Sequence, residues 1–269
     1  MTHRTSTRAR SVPTTRPRWR VRGVSVQGYS HLRDGVECQD AYRHTFVESV
    51  GAEVLAVADG AGSRVRSAEG AALAVGLATS LLAQRLESAG PPDDAERWRL
   101  LLAQGYEDIV AAFLNATARM GSDPGEFAAT LTAVVLAYPW VGVVSIGDGF
   151  VIARADSDDG AGTFDLVSFA GPAGEYVNET VFLTSTDALG QATVDCIYDP
   201  ELTAVLVATD GLVPAAIRQD GGRRRPNRSF LEPLLGSLEE PSEIARLLLD
   251  DRISALGADD KTILMAVAR

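Results

Sequence analysis

Short apolar runs that end in Asp-Gly are the most regular pattern along this chain. Three such runs end at Asp59-Gly60, Asp148-Gly149 and Asp210-Gly211, and the pair Asp259-Asp260 precedes a last apolar run. Asp-Gly between apolar runs is typical of a hairpin turn. That interpretation fits Asp148-Gly149, because a strand resumes at once. Loops and helical segments follow the other two motifs, and this arrangement favours a site at the strand ends over a simple turn.

The spacing of apolar residues predicts two long helices among many short strands. Leucines recur at helical spacing over 67–88, and a second helix is predicted from Asp93 or Asp94 to about Met120. Further helices are predicted after Gly211 and over 242–256. Predicted strands cover 21–29, 41–50, 53–58, 131–137, 140–146, 150–155, 164–169, 180–184, 193–198, 203–208 and 262–268. Long helices among hairpin-linked strands favour an α+β fold with antiparallel sheets.

The first 22 residues differ in composition from the rest of the chain. They contain seven Arg, no acidic residue and many Ser, Thr and Pro, without apolar periodicity. We expect residues 1–22 to be a disordered Arg-rich tail, without the apolar centre of a secretion signal, and residues 23–269 to be one domain. The chain has 25 basic and 36 acidic residues, so that domain contains 18 basic and all 36 acidic residues. Such a charge argues against nucleic-acid binding.

The cysteines and the longest apolar stretch bear on the cellular compartment. Cys38 and Cys196 are too few for a disulfide framework or a Cys-rich zinc site, which favours the cytoplasm. The stretch from Leu131 to Gly147 is interrupted at Tyr138-Pro139, and neither half is long enough to span a bilayer. We therefore expect a cytoplasmic protein without a membrane partner. The abundance of Ala, Gly and Arg is typical of a GC-rich bacterial genome.

The aspartates at the strand ends are candidate ligands of a metal ion. A buried strand holds its terminal carboxylate on a rigid support, and several such strands side by side can direct their oxygens at one hard divalent cation. The chain has three histidines, His3, His31 and His44, so a His-based zinc site is not expected. Oxygen ligands favour magnesium or manganese over zinc.

The motifs also follow one another in a familiar order between residues 23 and 269. They are Gly28-Tyr29-Ser30-His31, Cys38-Gln39-Asp40, Val57-Ala58-Asp59-Gly60, Ala129-Thr130-Leu131, Gly147-Asp148-Gly149, 178–184, Thr209-Asp210-Gly211 and Asp259-Asp260-Lys261-Thr262. This order resembles the metal-dependent serine/threonine protein phosphatases of the 2C type, in particular their compact bacterial relatives. The resemblance implies a four-layer α-β-β-α sandwich of two antiparallel sheets flanked by helix pairs.

The same resemblance implies a reaction, a cofactor and a partner. The reaction is the hydrolysis of phosphoserine and phosphothreonine in proteins by a metal-activated water, with two divalent cations, magnesium or manganese, as cofactors. The implied partners are a phosphorylated protein substrate and a serine/threonine kinase or its target, and the implied role is signalling. The implied metal ligands are Asp40, Asp59, Gly60 through its carbonyl, Asp148, Asp210 and Asp259.

The resemblance also implies a role for each ligand. Asp59 would bridge the two cations. Asp210 and Asp259 would complete one of them, and Asp40 would lie beside the other, directly or through water, where it is also a catalytic candidate. Asp148 would match a weaker position for a third ion.

Two departures from the family pattern concern the metal. Gln39 stands where most members have Glu, and its amide brings no charge to a second cation. This substitution keeps open a non-catalytic or weakly active sensor or binding module, beside a phosphatase for small metabolites. Asp260 replaces the usual Asn, so either Asp259 or Asp260 is the ligand. The spacing to Thr262 favours Asp259.

Three further features concern the substrate. Arg33 is the nearest candidate for an arginine that holds the substrate phosphate, with a solvated loop arginine as the alternative. Ala61 replaces a histidine that protonates the leaving group in some members, so a metal-bound water or His31 would take that role. The cluster Arg223-Arg224-Arg225 with Arg228 is most simply a solvated loop, and docking of a phosphopeptide or regulator is its alternative.

Overall fold

The computed structural model describes residues 17–121, 123–156, 162–169 and 180–269. The strands in this part are β1 (Trp19–Val26), β2 (Asp40–Val47), β3 (Ala52–Asp59), β4 (Leu131–Ala137), β5 (Trp140–Ile146), β6 (Phe150–Ala155), β7 (Thr163–Phe169), β8 (Thr193–Tyr198), β9 (Leu202–Ala208), β10 (Ile217–Asp220), β11 (Arg223–Pro226) and β12 (Lys261–Ala268). The α-helices are α1 (Tyr29–Asp34), α2 (Ser67–Ala89), α3 (Ala95–Arg119), α4 (Ala188–Gln191), α5 (Val213–Ala216), α6 (Arg228–Gly236), α7 (Pro241–Leu248) and α8 (Asp251–Ser254). Two 3-10 turns lie at Pro124–Phe127 and Asp210–Leu212.

Two antiparallel sheets of five strands form the centre of the protein. The first sheet has the strand order β1-β12-β9-β6-β7, and the second has the order β2-β3-β4-β5-β8. Strands β10 and β11 pair as a separate hairpin. The order joins strands from distant parts of the chain, so β1 and β12 lie side by side in full register.

Three apolar clusters define four layers. Side chains of both sheets meet between them, among them Leu55, Val134 and Leu264. Helices α2 and α3 cover the outer face of the second sheet through residues that include Trp98. Helices α5, α6 and α7 cover the outer face of the first sheet, with Leu231 among the buried residues. The predicted α+β class and the α-β-β-α sandwich are therefore confirmed.

The predicted end of the N-terminal tail at residue 22 is wrong. Residues 19–22 belong to β1, where Trp19 pairs with Ala268 and Val21 is buried between the sheets. Arg20 forms an ion pair with Glu239. The arginines of this segment obscured its apolar alternation. Its pairing with the edge of β12 was not visible in the local sequence. Residues 1–16 lie outside the described residues.

Three other predicted elements are also corrected. Residues 180–184 form no strand, because their polar groups bond irregularly: Phe182 N–H donates to Ser185 Oγ, and Leu183 N–H donates to the Ala129 carbonyl. The predicted helix 242–256 is divided into α7 and α8, since Asp250 caps α8 by accepting from Arg252 N–H. The arginines at 223–225 form strand β11 rather than a loop.

Two negative findings complete the description. Cys38 and Cys196 are both free thiols. Across the described ranges, no helix combines the length and apolar character needed to cross a membrane.

Candidate metal centre

Asp40 and Asp59 face each other at one edge of the second sheet. Asp40 begins β2 and Asp59 ends β3, and the antiparallel register pairs them directly. Thr130 holds Asp59 from the other side, because Asp59 N–H donates to Thr130 Oγ1 at 3.0 Å and Thr130 N–H donates to the Asp59 carbonyl at 2.8 Å. The backbone that positions the Asp59 carboxylate is thus bonded on both sides.

Thr209 joins the ends of the two sheets at this edge. Its hydroxyl donates to Asp40 Oδ2 at 2.8 Å and accepts from Thr262 N–H at 3.0 Å. Thr209 N–H also donates to the Thr262 carbonyl at 3.1 Å. Asp210 follows Thr209 directly, so this network brings the end of β9 and the start of β12 beside Asp40.

The carboxylates at this edge are close enough to perturb one another. Burial, followed by the charges of Asp40, Asp210 and Asp259, raises the pKa of Asp59 to about 10. Burial and the charges of Asp148, Asp259 and Asp40 raise the pKa of Asp210 to about 7. The pKa of Asp40 rises to about 6, chiefly through burial. Their charges thus couple Asp59 to Asp40, Asp210 and Asp259, and Asp210 to Asp148, whereas the role of these five aspartates as ligands stays a prediction.

Two buried oxygen atoms near this edge have no hydrogen-bond partner among the residues that the structure describes. Asp148 Oδ2 accepts from Thr180 Oγ1 at 2.9 Å, whereas its Oδ1 has no donor. Gln39 Oε1 is also buried without a donor. Buried acceptors without partners are uncommon in native proteins. A hard cation or its bound water would satisfy them, so the donor set fits magnesium or manganese.

The side chains at this edge do not form a ready-made metal cage. Within the described residues, no group of three or more His, Cys, Asp or Glu side chains is arranged so that it could hold a metal ion. Magnesium ordinarily keeps several waters and takes only one or two carboxylates from the protein. The three-carboxylate set Asp59, Asp210 and Asp259 stays a prediction.

Asp260 has a different environment from its neighbour Asp259. Its Oδ1 accepts from Gly28 N–H at 2.6 Å, and its Oδ2 accepts from Gln39 N–H at 2.6 Å and bonds His31 Nδ1 at 2.8 Å. Asp260 therefore clamps α1 and the start of β2 to the start of β12. Both of its oxygens are occupied, which leaves Asp259 as the more available carboxylate. Sequence reasoning missed this clamp, because nothing in the local pattern around Asp260 indicates its three distant donors.

Glycine is required in two of the Asp-Gly motifs by close backbone approach. A Cβ at Gly60 would lie 2.7 Å from the carbonyl oxygen of Ser67, and a Cβ at Gly211 would collide with the carbonyl oxygen of Asp260. Neither glycine has a positive φ. The motifs thus reflect tight packing of the strand ends against neighbouring loops, not a turn conformation that only glycine adopts.

The structure places Arg33 on the exposed side of α1. Its guanidinium donates two hydrogen bonds to Asp34, at 2.8 and 3.0 Å. Its role toward a phosphate stays a prediction. Arg64, which sequence reasoning did not select, lies on the loop after Gly60 and lines a groove of about 510 Å³ together with Thr180, the donor to Asp148. The signal that could have found Arg64 is its place just after the first Asp-Gly motif.

Comparison with known proteins gives a consistent result. Residues 27–256 match the family model described as protein phosphatase 2C, a span that ends before Asp259. The chain is 26% identical over 266 residues to the serine/threonine-protein phosphatase 3 of Escherichia coli (strain K12), covering 93% of this chain and 98% of that protein.

Two solved structures have a similar fold. The serine-threonine phosphatase 2C from Toxoplasma gondii superposes with a TM-score of 0.63 at 15% identity, over 96% of this chain and 97% of that one. The serine/threonine phosphatase Stp1 from Staphylococcus aureus gives a TM-score of 0.61 at 15% identity, over 95% and 96%. At these identities the likeness shows the fold alone.

The metal-free protein should lose stability as the pH rises. A carboxyl whose pKa is raised by folding contributes stability that is fully present below its unfolded pKa, about 4. That contribution is lost as the pH rises through the folded pKa, about 6 for Asp40, 7 for Asp210 and 10 for Asp59. After chelation, Asp59→Asn should therefore melt above the wild type at pH 8, and the difference in Tm should shrink toward pH 4.

Manganese should reverse this difference. At pH 8, millimolar manganese should raise the Tm of the wild type by several degrees through mass action, and should have little effect on Asp59→Asn. Asp165→Asn, a change at an exposed position of β7, serves as the control and should follow the wild type throughout. A metal-free Asp59→Asn protein that melts below the wild type at pH 8 would contradict the repulsion inferred here.

Proposed function

The chain belongs to the protein phosphatase 2C family, and from that premise we propose that it hydrolyses phosphoserine and phosphothreonine in proteins at the edge formed by Asp40, Asp59, Asp148, Asp210 and Asp259. The observation that supports this proposal most directly is the environment of Asp59, where burial and then the charges of Asp40, Asp210 and Asp259 raise its pKa to about 10. Crowded carboxylates at strand ends are suited to divalent cations and have no evident structural purpose. The relatives named as serine/threonine phosphatases agree with this reaction.

The proposed cofactors are two divalent cations, magnesium or manganese. When bound, such cations neutralise a phosphate monoester and acidify a water molecule near it, which makes hydrolysis by direct attack of water possible. The proposed ligands around Asp59 are Asp59 itself, the carbonyl of Gly60, Asp210 and Asp259. Asp148 is the proposed ligand of a weaker position.

The side chains around the cluster would keep these ligands charged and oriented. The Thr209 hydroxyl donates to Asp40 Oδ2, which opposes the effect of burial on the pKa of Asp40 and favours its ionised form. Asp40 can then accept a proton from an attacking water through Oδ1, or orient that water. Thr180 has the same relation to Asp148. Either Arg33 or Arg64 would hold the non-reacting oxygens of the phosphate.

His31 is the proposed proton donor to the leaving group. Asp260 bonds its Nδ1, which favours the Nδ1–H tautomer and leaves Nε2 to exchange protons. The His31 ring faces the loop that follows Asp59 and Gly60. A Cβ built on Gly62 in this loop would lie 3.9 Å from His31 Nε2 and 3.8 Å from Gln39 Oε1. The imidazole side chain is only 16% exposed. The ring can therefore pass a proton from Nε2 to the alkoxide of serine or threonine.

The alternatives raised by Gln39 are less well supported. A non-catalytic sensor module has only the missing charge at Gln39 in its favour, and a small-metabolite phosphatase has no observation of its own. A serine/threonine kinase that phosphorylates the same substrates is the partner that this reaction requires, and signalling through protein phosphorylation is the corresponding role.

Asp59→Asn should abolish phosphatase activity while the protein stays folded. Turnover of p-nitrophenyl phosphate and of a phosphothreonine peptide should be measured with and without manganese, for this variant and for the control Asp165→Asn. Asp59→Asn should retain less than about a tenth of wild-type activity, because removing its charge removes the proposed bridging ligand. A wild type inactive on both substrates at every manganese concentration would favour the sensor module instead. Activity on small phosphates but none on peptides would favour a metabolite phosphatase.

Gln39→Glu should strengthen the second cation site. One added carboxylate beside a divalent ion lowers the manganese concentration for half-maximal effect by about tenfold in a partly exposed site. The readouts are half-maximal activity and the manganese-dependent rise in Tm, with Gln104→Glu on α3 as the matched control. If Gln39→Glu leaves both manganese curves unchanged, Gln39 is not adjacent to a cation.

His31→Gln should separate substrates by their leaving groups. A serine alkoxide needs a proton to leave, whereas p-nitrophenolate does not, so kcat should fall about 100-fold on a phosphoserine peptide and change little on p-nitrophenyl phosphate. His44→Gln, on the exposed face of β2, is the control. Equal losses on both substrates would indicate a structural role for His31.

A further inference from the structure

The hairpin formed by β10 and β11 presents an arginine-rich face to solvent. The antiparallel register places Arg218 opposite Arg225 and Asp220 opposite Arg223. Because side chains alternate along a strand, these four exposed residues share one face of the hairpin. Arg225 and Asp220 approach to 3.9 Å, a loose ion pair. Three arginines against one aspartate leave this arginine face with an excess of positive charge.

Folding alone does not account for the arginine face. Like charges directly opposite each other destabilise an antiparallel pair, as Arg218 and Arg225 do here. Arg218 and Arg223 have no ion pair in the described part of the chain. The rest of the domain is strongly acidic, so the arginine face is a local exception in the charge pattern. A positive face that disfavours its own hairpin suggests an anionic partner.

The other face of the hairpin is anchored beside the candidate metal centre. The guanidinium of Arg224 lies 4.4 Å from the ring centroid of Phe169, at the end of β7. Phe169 pairs with Phe150, and their ring centroids are 6.5 Å apart. Phe150 begins β6, two residues after Asp148. The hairpin therefore borders the same edge of the sandwich as the carboxylates.

We propose that the arginine face binds acidic side chains of the protein substrate, so that the enzyme prefers phosphoserine and phosphothreonine within acidic segments. This inference rests on the proposed function and names its substrate class. Guanidinium groups match carboxylates in geometry and charge. The acidic domain would otherwise repel such segments, and the arginine face offers them a favourable point of contact close to the site. Nucleic acids and anionic membranes are disfavoured as partners, because these extended polyanions would also contact the acidic remainder of the surface.

The test compares three phosphothreonine peptides that differ only in acidic, uncharged or basic flanking residues. The wild type should have the highest kcat/KM on the acidic peptide. The double variant Arg218→Gln with Arg225→Gln should lose about three- to tenfold on that peptide, through KM, because it removes two exposed charge contacts. Its activity on p-nitrophenyl phosphate should be unchanged. The double variant Arg99→Gln with Arg119→Gln, on exposed positions of α3, controls for loss of charge elsewhere.

A binding measurement keeps this inference separate from the proposed function. Fluorescence anisotropy with an unphosphorylated acidic peptide should show binding that weakens in the hairpin variant and not in the α3 control. If the wild type binds this peptide but hydrolyses no phosphoester, the proposed function fails and the arginine face is upheld as a binding site for acidic segments. Equal peptide preferences in wild type and hairpin variant would overturn the inference. Tighter binding of single-stranded nucleic acid or of phosphatidylserine vesicles than of the acidic peptide would also overturn it.

Discussion

The burial of several carboxylates at one edge, together with their mutual repulsion, is the constraint on which the rest of this molecule depends. Asp59 is surrounded by the charges of Asp40, Asp210 and Asp259, and burial limits the water that would screen them. Carboxylates in such a place are stable as protonated acids or beside cations. Near neutral pH, divalent cations are the partners that allow all four side chains to be charged at once. On the proposed function, the fold thus gives up stability in its metal-free form in order to bind such cations.

The two sheets and a few polar clamps hold this unfavourable arrangement in place. Buried strands such as β3 and β9 supply rigid supports, and the layers of helix outside them prevent the strand ends from moving apart. Thr209 bonds across from the first sheet to Asp40 of the second, and Asp260 ties the N-terminal helix to the last strand. The edge is therefore assembled from residues more than 200 positions apart, and the clamping residues Thr209 and Asp260 directly adjoin Asp210 and Asp259 in the chain.

The parts of the fold that were predicted from the sequence are those with strong local signals. Strands β4, β5 and β6 begin and end where their apolar runs meet turn residues, and Asp94 caps α3 as expected. The β10–β11 hairpin and the first residues of β1 were not predicted, because arginines hide the alternation there. Asp59, Asp148, Asp210 and Asp259 became candidates through their positions next to apolar runs, whereas Asp40 came only from the family resemblance. The difference between Asp259 and Asp260 could not be read locally, since it depends on donors that are distant in sequence.

The most direct test of the carboxylate cluster is the anomalous scattering of manganese in crystals of the protein. We expect at least one strong anomalous peak within about 2.2 Å of an Asp59 carboxylate oxygen, with Asp210 or Asp259 as a further ligand and water in the remaining positions. Crystals of Asp59→Asn should lack that peak. Manganese bound only at other surfaces of the wild type, or held by Asp260 and not by Asp59, would show that the cluster around Asp59 is not a metal site.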